Sequence, residues 1–255
     1  MEPRVTLEIN AGVADVVLNR PDKMNALDGA MFDAISDTVT ELGERDDVDV
    51  VVLSGAGRAF CAGIDLAFLG DPGNVADLER RTHGEANLFQ HVAWGWHTLP
   101  MPVIAALHGV VLGGGIQIAL GADIRIAHPA TRLSVMEARW GLVPDMGGFP
   151  LLRELVPGDV ARELVYTGRQ VDGSEAADLG LVTRTADDPR AEALELARQI
   201  AANSTSAVRS AKRLFALALD ESAPAGELLL AESREQQVLL ASGEPRERVA
   251  AHRRG

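Results

Sequence analysis

Apolar and polar residues alternate, or apolar residues run together, over two short stretches near the start of the chain. Residues 4–10 and 13–18 are these stretches, and both read as strands around a tight turn. From 31 to 43, apolar residues recur at helical spacing behind Asp28, a residue type that caps helix N-termini. Four consecutive apolar residues at 50–53 then indicate a strand buried on both faces. The order strand, helix, strand predicts a parallel sheet.

Three consecutive glycines at 113–115 stand between an apolar strand that begins at residue 103 and a helix of small residues. Glycine has no Cβ and lets a partner approach the backbone, while the first turn of a helix leaves N–H groups unpaired. Such a junction suits a developing oxyanion, although for a glycine triplet alone a tight turn or a close packing contact is the favoured interpretation. The other motifs of the chain therefore decide between these interpretations.

The second half of the chain predicts helices. A glycine pair at 147–148 opens one helix, and from residue 159 onward the pattern is helical and lacks strands. A shift in composition near residue 195 predicts a core over residues 1–195 and a helical C-terminal region over residues 196–255.

Composition and charge narrow the class of protein. The chain has 255 residues, of which 47% are hydrophobic and 4% aromatic, which is an ordinary globular composition. No apolar run is long enough to cross a bilayer and the first residues lack the apolar core of a signal peptide, so we expect a cytoplasmic protein with no membrane partner. Cys61 is the only cysteine, which disfavours disulfide, zinc and redox chemistry; we expect no metal. The net charge of −13 disfavours nucleic acid as a partner.

Five separated segments carry the candidate chemistry: NRPDKMNAL, RAFCAGIDL, HGVVLGGGIQIALGADIRIA, MEARWGLVPDMGG and YTGRQVDGSEAADLGLV. In order and spacing they resemble the crotonase (enoyl-CoA hydratase/isomerase) superfamily over residues 5 to 215. The resemblance implies an α/β fold in which ββα units form a spiral core and a helical C-terminal region builds homotrimers or hexamers. It also implies an acyl-CoA substrate in fatty acid metabolism, so coenzyme A arrives with the substrate and no cofactor is bound permanently.

The resemblance assigns an oxyanion hole to two backbone groups. The N–H groups of Ile64 and Gly114 are expected to hold the thioester oxygen as it becomes an enolate. Any residue except proline can supply such a donor, so isoleucine is acceptable at this position. One donor of this kind is typically worth roughly 3 kcal/mol of transition-state stabilisation.

The resemblance also implies where coenzyme A binds. Ala62, Ile64 and Leu66 are expected to line the adenine end of the pocket, although a plain loop of small residues has the same composition. Lys23 or Arg20 could contact the CoA phosphates. Charged residues beside the end of a strand are more often simply solvated.

The acid–base residues decide the reaction. Hydratases of the family use two glutamates, and Gln117 and Glu137 stand at those positions. Glutamine can orient water but cannot exchange a proton, whereas Glu137 has apolar neighbours that would raise its pKa toward that of a general base. Asp145 stands where dienoyl-CoA isomerases carry an acidic residue, but those isomerases also have an aspartate at the Gln117 position. A loop aspartate before a glycine pair can also be a helix or turn cap.

Three functions are compatible with these residues. The leading hypothesis is an isomerase in which Glu137 removes a proton and Asp145 delivers one at a distal carbon. A hydratase would use Glu137 as its only carboxylate, with Gln117 positioning water, and a non-catalytic acyl-CoA-binding protein would use neither. Net charge disfavours an RNA-binding role. A serine hydrolase lacks its GxSxG motif, and Ile118 replaces the last glycine of a dinucleotide-binding GxGxxG.

Overall fold

The computed structural model describes residues 2–75, 77–219 and 223–253. The chain divides into two compact units, Met1–Ala201 and Ala202–Gly255. The boundary expected at residue 195 falls inside a continuous helix, Pro189–Ala201. Ala193 and Ala197 of this helix are buried in the core of the first unit, so the whole helix belongs there.

The strands and helices follow in chain order. The strands are β1 Val5–Asn10, β2 Val13–Leu18, β3 Val50–Gly55, β4 Val103–Leu107, β5 Val110–Leu112, β6 Ile124–Ala127, β7 Arg132–Ser134 and β8 Arg184–Thr185. The helices are α1 Gly29–Gly43, α2 Leu66–Leu69, α3 Leu88–Thr98, α4 Gly114–Leu120, α5 Gly148–Leu155, α6 Gly158–Thr167, α7 Gly173–Leu179, α8 Pro189–Ala201, α9 Thr205–Ala218, α10 Ala225–Ala241 and α11 Glu244–His252. Short 3-10 turns lie at Pro21–Lys23, Pro72–Val75 and Glu137–Trp140.

Two sheets organise the first unit. The larger has the order β1-β2-β3-β4-β6-β8, in which β1 is antiparallel to β2 and the other neighbours are parallel. The smaller pairs β5 with β7 in parallel, and Cys61 forms a parallel bridge to Val111 of β5. Each turn of the chain therefore places a strand in the large sheet and the segment after it at the small sheet, and successive turns stack as a spiral.

The core lies on both faces of the large sheet. Along β3, Val51 and Leu53 face a cluster that includes residues of α1 and α3, while Val50 and Val52 face α8. All of β3 is buried, as its run of apolar residues predicts. The cap predicted for α1 is also present, because the Asp28 carboxylate accepts a hydrogen bond from the Met31 N–H at 2.9 Å.

Two sequence-based expectations were wrong. The strand predicted from residue 103 to the glycine triplet is broken at His108-Gly109, where Gly109 has φ +66°, and the chain moves there from one sheet to the other. The part of the chain from residue 159 onward also contains a strand, β8, which pairs with β6. With only two residues, β8 is too short to show the alternation that identifies a strand.

Helices α9, α10 and α11 form the second unit. The Glu235 carboxylate of α10 accepts hydrogen bonds from Ser210 Oγ at 2.7 Å and from Arg213 of α9 at 2.7 and 2.9 Å. Helix α10 has no buried residue, and its large exposed apolar side chains are Leu229, Leu230, Val238 and Leu240. Among the helices of residues 2–75, 77–219 and 223–253, none has the length and apolar character needed to span a membrane.

Candidate active site

A cleft of about 250 Å³ opens where three segments of the first unit meet. These segments are the loop after β3, the start of α4 and the residues that follow β7. Of the residues singled out from the sequence, the cleft brings together Ala62, Ile64, Leu66, Gly114, Gln117, Glu137 and Asp145. Its remaining lining is mostly apolar.

Gly63 lets the loop after β3 approach the start of α4. Its φ is +90°, and a Cβ at this position would lie 2.6 Å from the Leu112 carbonyl oxygen and 3.4 Å from the Gly114 nitrogen. No other residue type fits this backbone angle and this space without strain. The glycine therefore brings the N–H groups of Ile64 and Gly114 to the same part of the cleft.

The local hydrogen bonds leave these two N–H groups free. Leu27 pairs with the loop through its N–H to the Gly63 oxygen at 2.8 Å and its oxygen to the Asp65 N–H at 2.9 Å. The N–H of Ile64 lies between these two hydrogen bonds and takes part in neither. Gly114 is the first residue of α4, where an N–H has no partner within the helix. Neither the Ile64 nor the Gly114 N–H has an acceptor in the part of the chain that the structure describes. Both can therefore donate to a ligand oxygen.

Glu137 is 7% exposed and begins the turn after β7. Its Oε1 accepts a hydrogen bond from Gln117 Nε2 at 2.6 Å, while its Oε2 is buried without a partner among the described residues. Burial raises the pKa of the Glu137 carboxyl, and the negative charge of Asp145 raises it further. The hydrogen bond from Gln117 acts in the opposite direction. This environment favours a carboxylate that accepts a proton readily at Oε2.

Gln117 is fully engaged by the protein on its oxygen side. The Oε1 atom accepts hydrogen bonds from the N–H of Met146 at 2.8 Å and from the N–H of Gly148 at 3.1 Å. An amide oxygen has two lone pairs, so this atom cannot also accept a hydrogen bond from a water molecule. The residue is 1% exposed.

Asp145 lies at the open side of the same cleft and is solvent-exposed. Partial burial of the carboxyl raises the pKa of Asp145. Helix α5 has no side-chain cap, so Asp145 does not cap it. Its pKa and its place at the cleft suit a group that donates and recovers a proton.

The Enoyl-CoA hydratase/isomerase family model matches residues 8–243 of the chain. The chain belongs to the enoyl-CoA hydratase/isomerase family. It is 38% identical over 208 residues to the Bacillus subtilis protein YngF, which carries an enoyl-CoA hydratase/isomerase name; the match covers 80% of this chain and 77% of YngF. It is 35% identical over 199 residues to a peroxisomal Δ(3,5)-Δ(2,4)-dienoyl-CoA isomerase of Arabidopsis thaliana, with 72% and 70% covered.

Comparison of the fold with solved structures points to the same family. The crystal structure of an enoyl-CoA hydratase from Bacillus anthracis superposes with a TM-score of 0.89 at 29% identity, covering 98% of this chain and 96% of that one. The crotonase resemblance and the predicted fold class are therefore confirmed. The relatives bear both hydratase and isomerase names, so the family does not by itself decide the reaction.

The basic residues suggested for CoA phosphates do not line the cleft of this family member. Lys23 is exposed at the end of the turn Pro21–Lys23. The Arg20 guanidinium donates to the Asp65 carboxylate at 2.7 Å and lies 3.5 Å from the Asp28 carboxylate, and its side chain is 12% exposed. Arg20 therefore holds loops together instead of offering its charge to a ligand.

Sequence reasoning missed an apolar wall of the cleft. Trp140, Leu142 and Val143 line it and are 55%, 41% and 61% exposed. They lie in a segment without helical or strand periodicity, so no pattern marked them. A run of large apolar residues among turn residues was the available signal. This wall suits the hydrocarbon part of an acyl group.

Proposed function

We propose that this protein isomerises an enoyl-CoA or dienoyl-CoA by moving its double bonds through a thioester enolate. One observation carries the proposal: two carboxyl groups with raised pKa, Glu137 and Asp145, line the same cleft as the unpaired N–H groups of Ile64 and Gly114. A double-bond shift needs one group that removes a proton and another that returns one at a different carbon. The cleft supplies both, together with donors for the enolate oxygen.

The proposed reaction begins at the carbon next to the thioester carbonyl. Glu137 Oε2 takes a proton from this carbon, and the electron pair moves toward the thioester oxygen, which accepts hydrogen bonds from Ile64 and Gly114. The pair then returns through the conjugated bonds, and the distal carbon takes the proton of the Asp145 carboxylic acid. Glu137 ends protonated and Asp145 ends ionised. Exchange with solvent, to which Asp145 is exposed, restores the starting state.

Hydration is the rival reaction, since relatives carry hydratase names. In this cleft it would need a second group to hold the attacking water, the role that the sequence suggested for Gln117. The Gln117 oxygen already accepts two backbone hydrogen bonds. Gln117 could therefore bind the attacking water only as a donor, through its second amide N–H, and could not accept a hydrogen bond from it as a second carboxylate would. This supports isomerisation over hydration.

Coenzyme A is proposed to enter with the substrate along the loop after β3. Ala62 and Leu66 line the cleft there, and Leu66 is 56% exposed, so it offers an apolar surface to the adenine. The Ala62 N–H donates to the Met24 oxygen at 2.9 Å, which places the neighbouring Lys23 close to this loop. Lys23 is therefore our candidate for a phosphate contact. No permanently bound cofactor is required by this proposal.

Asp145→Asn tests the proposal, because asparagine cannot supply the distal proton. We expect conversion of a 3,5-dienoyl-CoA to fall by roughly two to four orders of magnitude, the usual worth of a positioned acid, while any hydration of a short 2-enoyl-CoA is unchanged. Asp37→Asn, at an exposed site on α1, is the matched control. Product analysis by mass spectrometry measures both reactions. Equal dienoyl-CoA conversion by the Asp145→Asn variant and the unmodified protein would overturn the assignment.

A further inference from the structure

Gln117 links the carboxyl group of Glu137 to the backbone that directly follows Asp145. Its amide nitrogen donates to Glu137 Oε1 at 2.6 Å, and its amide oxygen accepts from the N–H groups of Met146 and Gly148 at 2.8 and 3.1 Å. Met146 directly follows Asp145. We propose that Gln117 is a positioning residue that selects Oε2 of Glu137 as the base and holds the Asp145 segment in place beside it. This deepens the proposed function and rests on its assignment of Glu137 as the base.

The partners of Gln117 define which end of its amide is the oxygen. Two backbone N–H donors lie on one side, and these need an acceptor. A carboxylate oxygen lies on the other side, and this needs a donor. Only the arrangement with oxygen toward Met146 and Gly148 satisfies all three.

This arrangement determines where Glu137 carries a proton. Oε1 already accepts the short hydrogen bond from Gln117, whereas Oε2 is buried and has no partner among the described residues. A proton taken from a substrate therefore binds to Oε2, since protonation of Oε1 would weaken the hydrogen bond that this oxygen accepts from Gln117. The same hydrogen bond stabilises the ionised form of Glu137 against the cost of its burial.

The backbone that follows Asp145 turns so that two of its N–H groups point at the Gln117 oxygen. Gly147 has φ +84°, and this turn lets the N–H groups on either side of it point to one acceptor. A Cβ at Gly148 would lie 2.8 Å from that oxygen, so a larger residue would push the amide away. Moving or removing the Gln117 side chain would release this segment, and Asp145 with it.

An amide at position 117 also keeps Glu137 an independent base. With glutamate there, two carboxylate oxygens would meet at the 2.6 Å distance that the amide now spans. Two carboxylates so close cannot both ionise, and they share one proton as a coupled pair. Gln117 therefore leaves one carboxyl, that of Glu137, at this contact and supports its ionisation.

Direct titration of Glu137 tests the inference whatever reaction the enzyme catalyses. The protein would be labelled with 13C at glutamate side-chain carboxyls, and the Glu137 signal would be assigned by its loss in Glu137→Gln. In Gln117→Leu, which lacks the donor, we expect the titration midpoint of Glu137 to rise by about one pH unit. In Gln117→Glu we expect two coupled steps separated by more than about one unit.

Gln117→Glu keeps an oxygen that can accept hydrogen bonds from the N–H groups of Met146 and Gly148. If the leucine variant does not fold, the glutamate variant alone tests the inference. Gln199→Leu is the matched control, because exposed Gln199 also donates to a carboxylate, Glu195, at 3.2 Å; it should leave the Glu137 midpoint unchanged. A single Glu137 step with an unshifted midpoint in the folded Gln117 variants would overturn the inference. Failure of the proposed function would appear separately, as absence of double-bond shift with the titration still altered.

Discussion

At the scale of single residues, the buried Glu137 carboxylate that the proposed reaction needs lowers the stability of the fold at neutral pH. A buried carboxyl with a raised pKa favours its protonated form in the folded protein. This stability is fully present below the pKa of the unfolded chain and is lost as the pH rises through the higher folded pKa. At neutral pH the folded protein therefore carries the cost of an ionised, buried Glu137.

Glu137→Gln should remove this cost and the base together. At neutral pH we expect the variant to unfold at a higher temperature than the unmodified protein. Its free energy of unfolding should be higher by roughly 1.4 kcal/mol for each unit by which the pKa of Glu137 is raised, and this difference should vanish in acid. Enolate-forming turnover should fall by roughly two to four orders of magnitude. Thermal unfolding across the pH range checks the first effect. A Glu137→Gln variant less stable than the parent at neutral pH would contradict the electrostatic account.

The sequence could name these residues but not their contacts. The spacing of Gln117, Glu137 and Asp145 was enough to select them, since their motif resembles the family. The hydrogen bonds from Met146 and Gly148 to Gln117 depend on how a later turn folds back on α4, and side-chain periodicity carries no information on that. The sequence therefore showed no sign that the oxygen of Gln117 is engaged by two backbone N–H groups.

At the scale of elements, the start of α4 and the loop after β3 form the proposed oxyanion hole. Gly114 is buried at the first position of α4, and a Cβ there would lie 2.9 Å from Leu27 Cδ1 and Met146 Sδ. Both atoms are at flexible ends of side chains, which can shift. Alanine is therefore tolerable at this position and keeps the N–H.

Gly114→Ala and Gly114→Pro form a matched pair, because both add a Cβ and only proline removes the donor. We expect Gly114→Pro to lose roughly two to three orders of magnitude more turnover than Gly114→Ala, the usual cost of one oxyanion-hole donor. Steady-state kinetics on variants with intact circular dichroism provides the comparison. Equal turnover in the two folded variants would remove Gly114 from the oxyanion hole.

Elements with strong periodicity were predictable, and short elements were not. The cap and apolar face identified α1, and the continuous apolar run identified β3. Strands β5 and β8 have three and two residues, so their pairing depends on neighbours that only the spiral brings together. The change of sheet at Gly109 has no periodic signal either.

At the scale of the molecule, three successive turns of the spiral each supply one part of the cleft. The Leu112 N–H donates to the Cys61 oxygen at 3.0 Å, and the Gly113 N–H donates to the Ser134 oxygen at 3.0 Å. These bonds stack the loop that carries Ile64, the start of α4 and the segment before Glu137. The motifs are distant in sequence because each belongs to a different turn.

We expect the isolated protein to be a trimer or hexamer, because α10 exposes Leu229, Leu230, Val238 and Leu240. Light scattering at micromolar concentration measures the mass. Leu229→Glu combined with Val238→Glu should lower it by placing charge on this surface, whereas Gln236→Glu, at an exposed polar site of the same helix, should not. A monomeric unmodified protein would contradict this expectation.

The central claim is that the cleft moves double bonds and does not add water. The most direct measurement is to incubate the unmodified protein in D2O with a 3,5-dienoyl-CoA and, separately, with a 2-enoyl-CoA, and to analyse the products by mass spectrometry and NMR. We predict a 2,4-dienoyl-CoA with deuterium at the distal carbon from the first, and slow or no addition of water to the second. Rapid formation of a 3-hydroxyacyl-CoA from the 2-enoyl-CoA, with the dienoyl-CoA unchanged, would contradict the account.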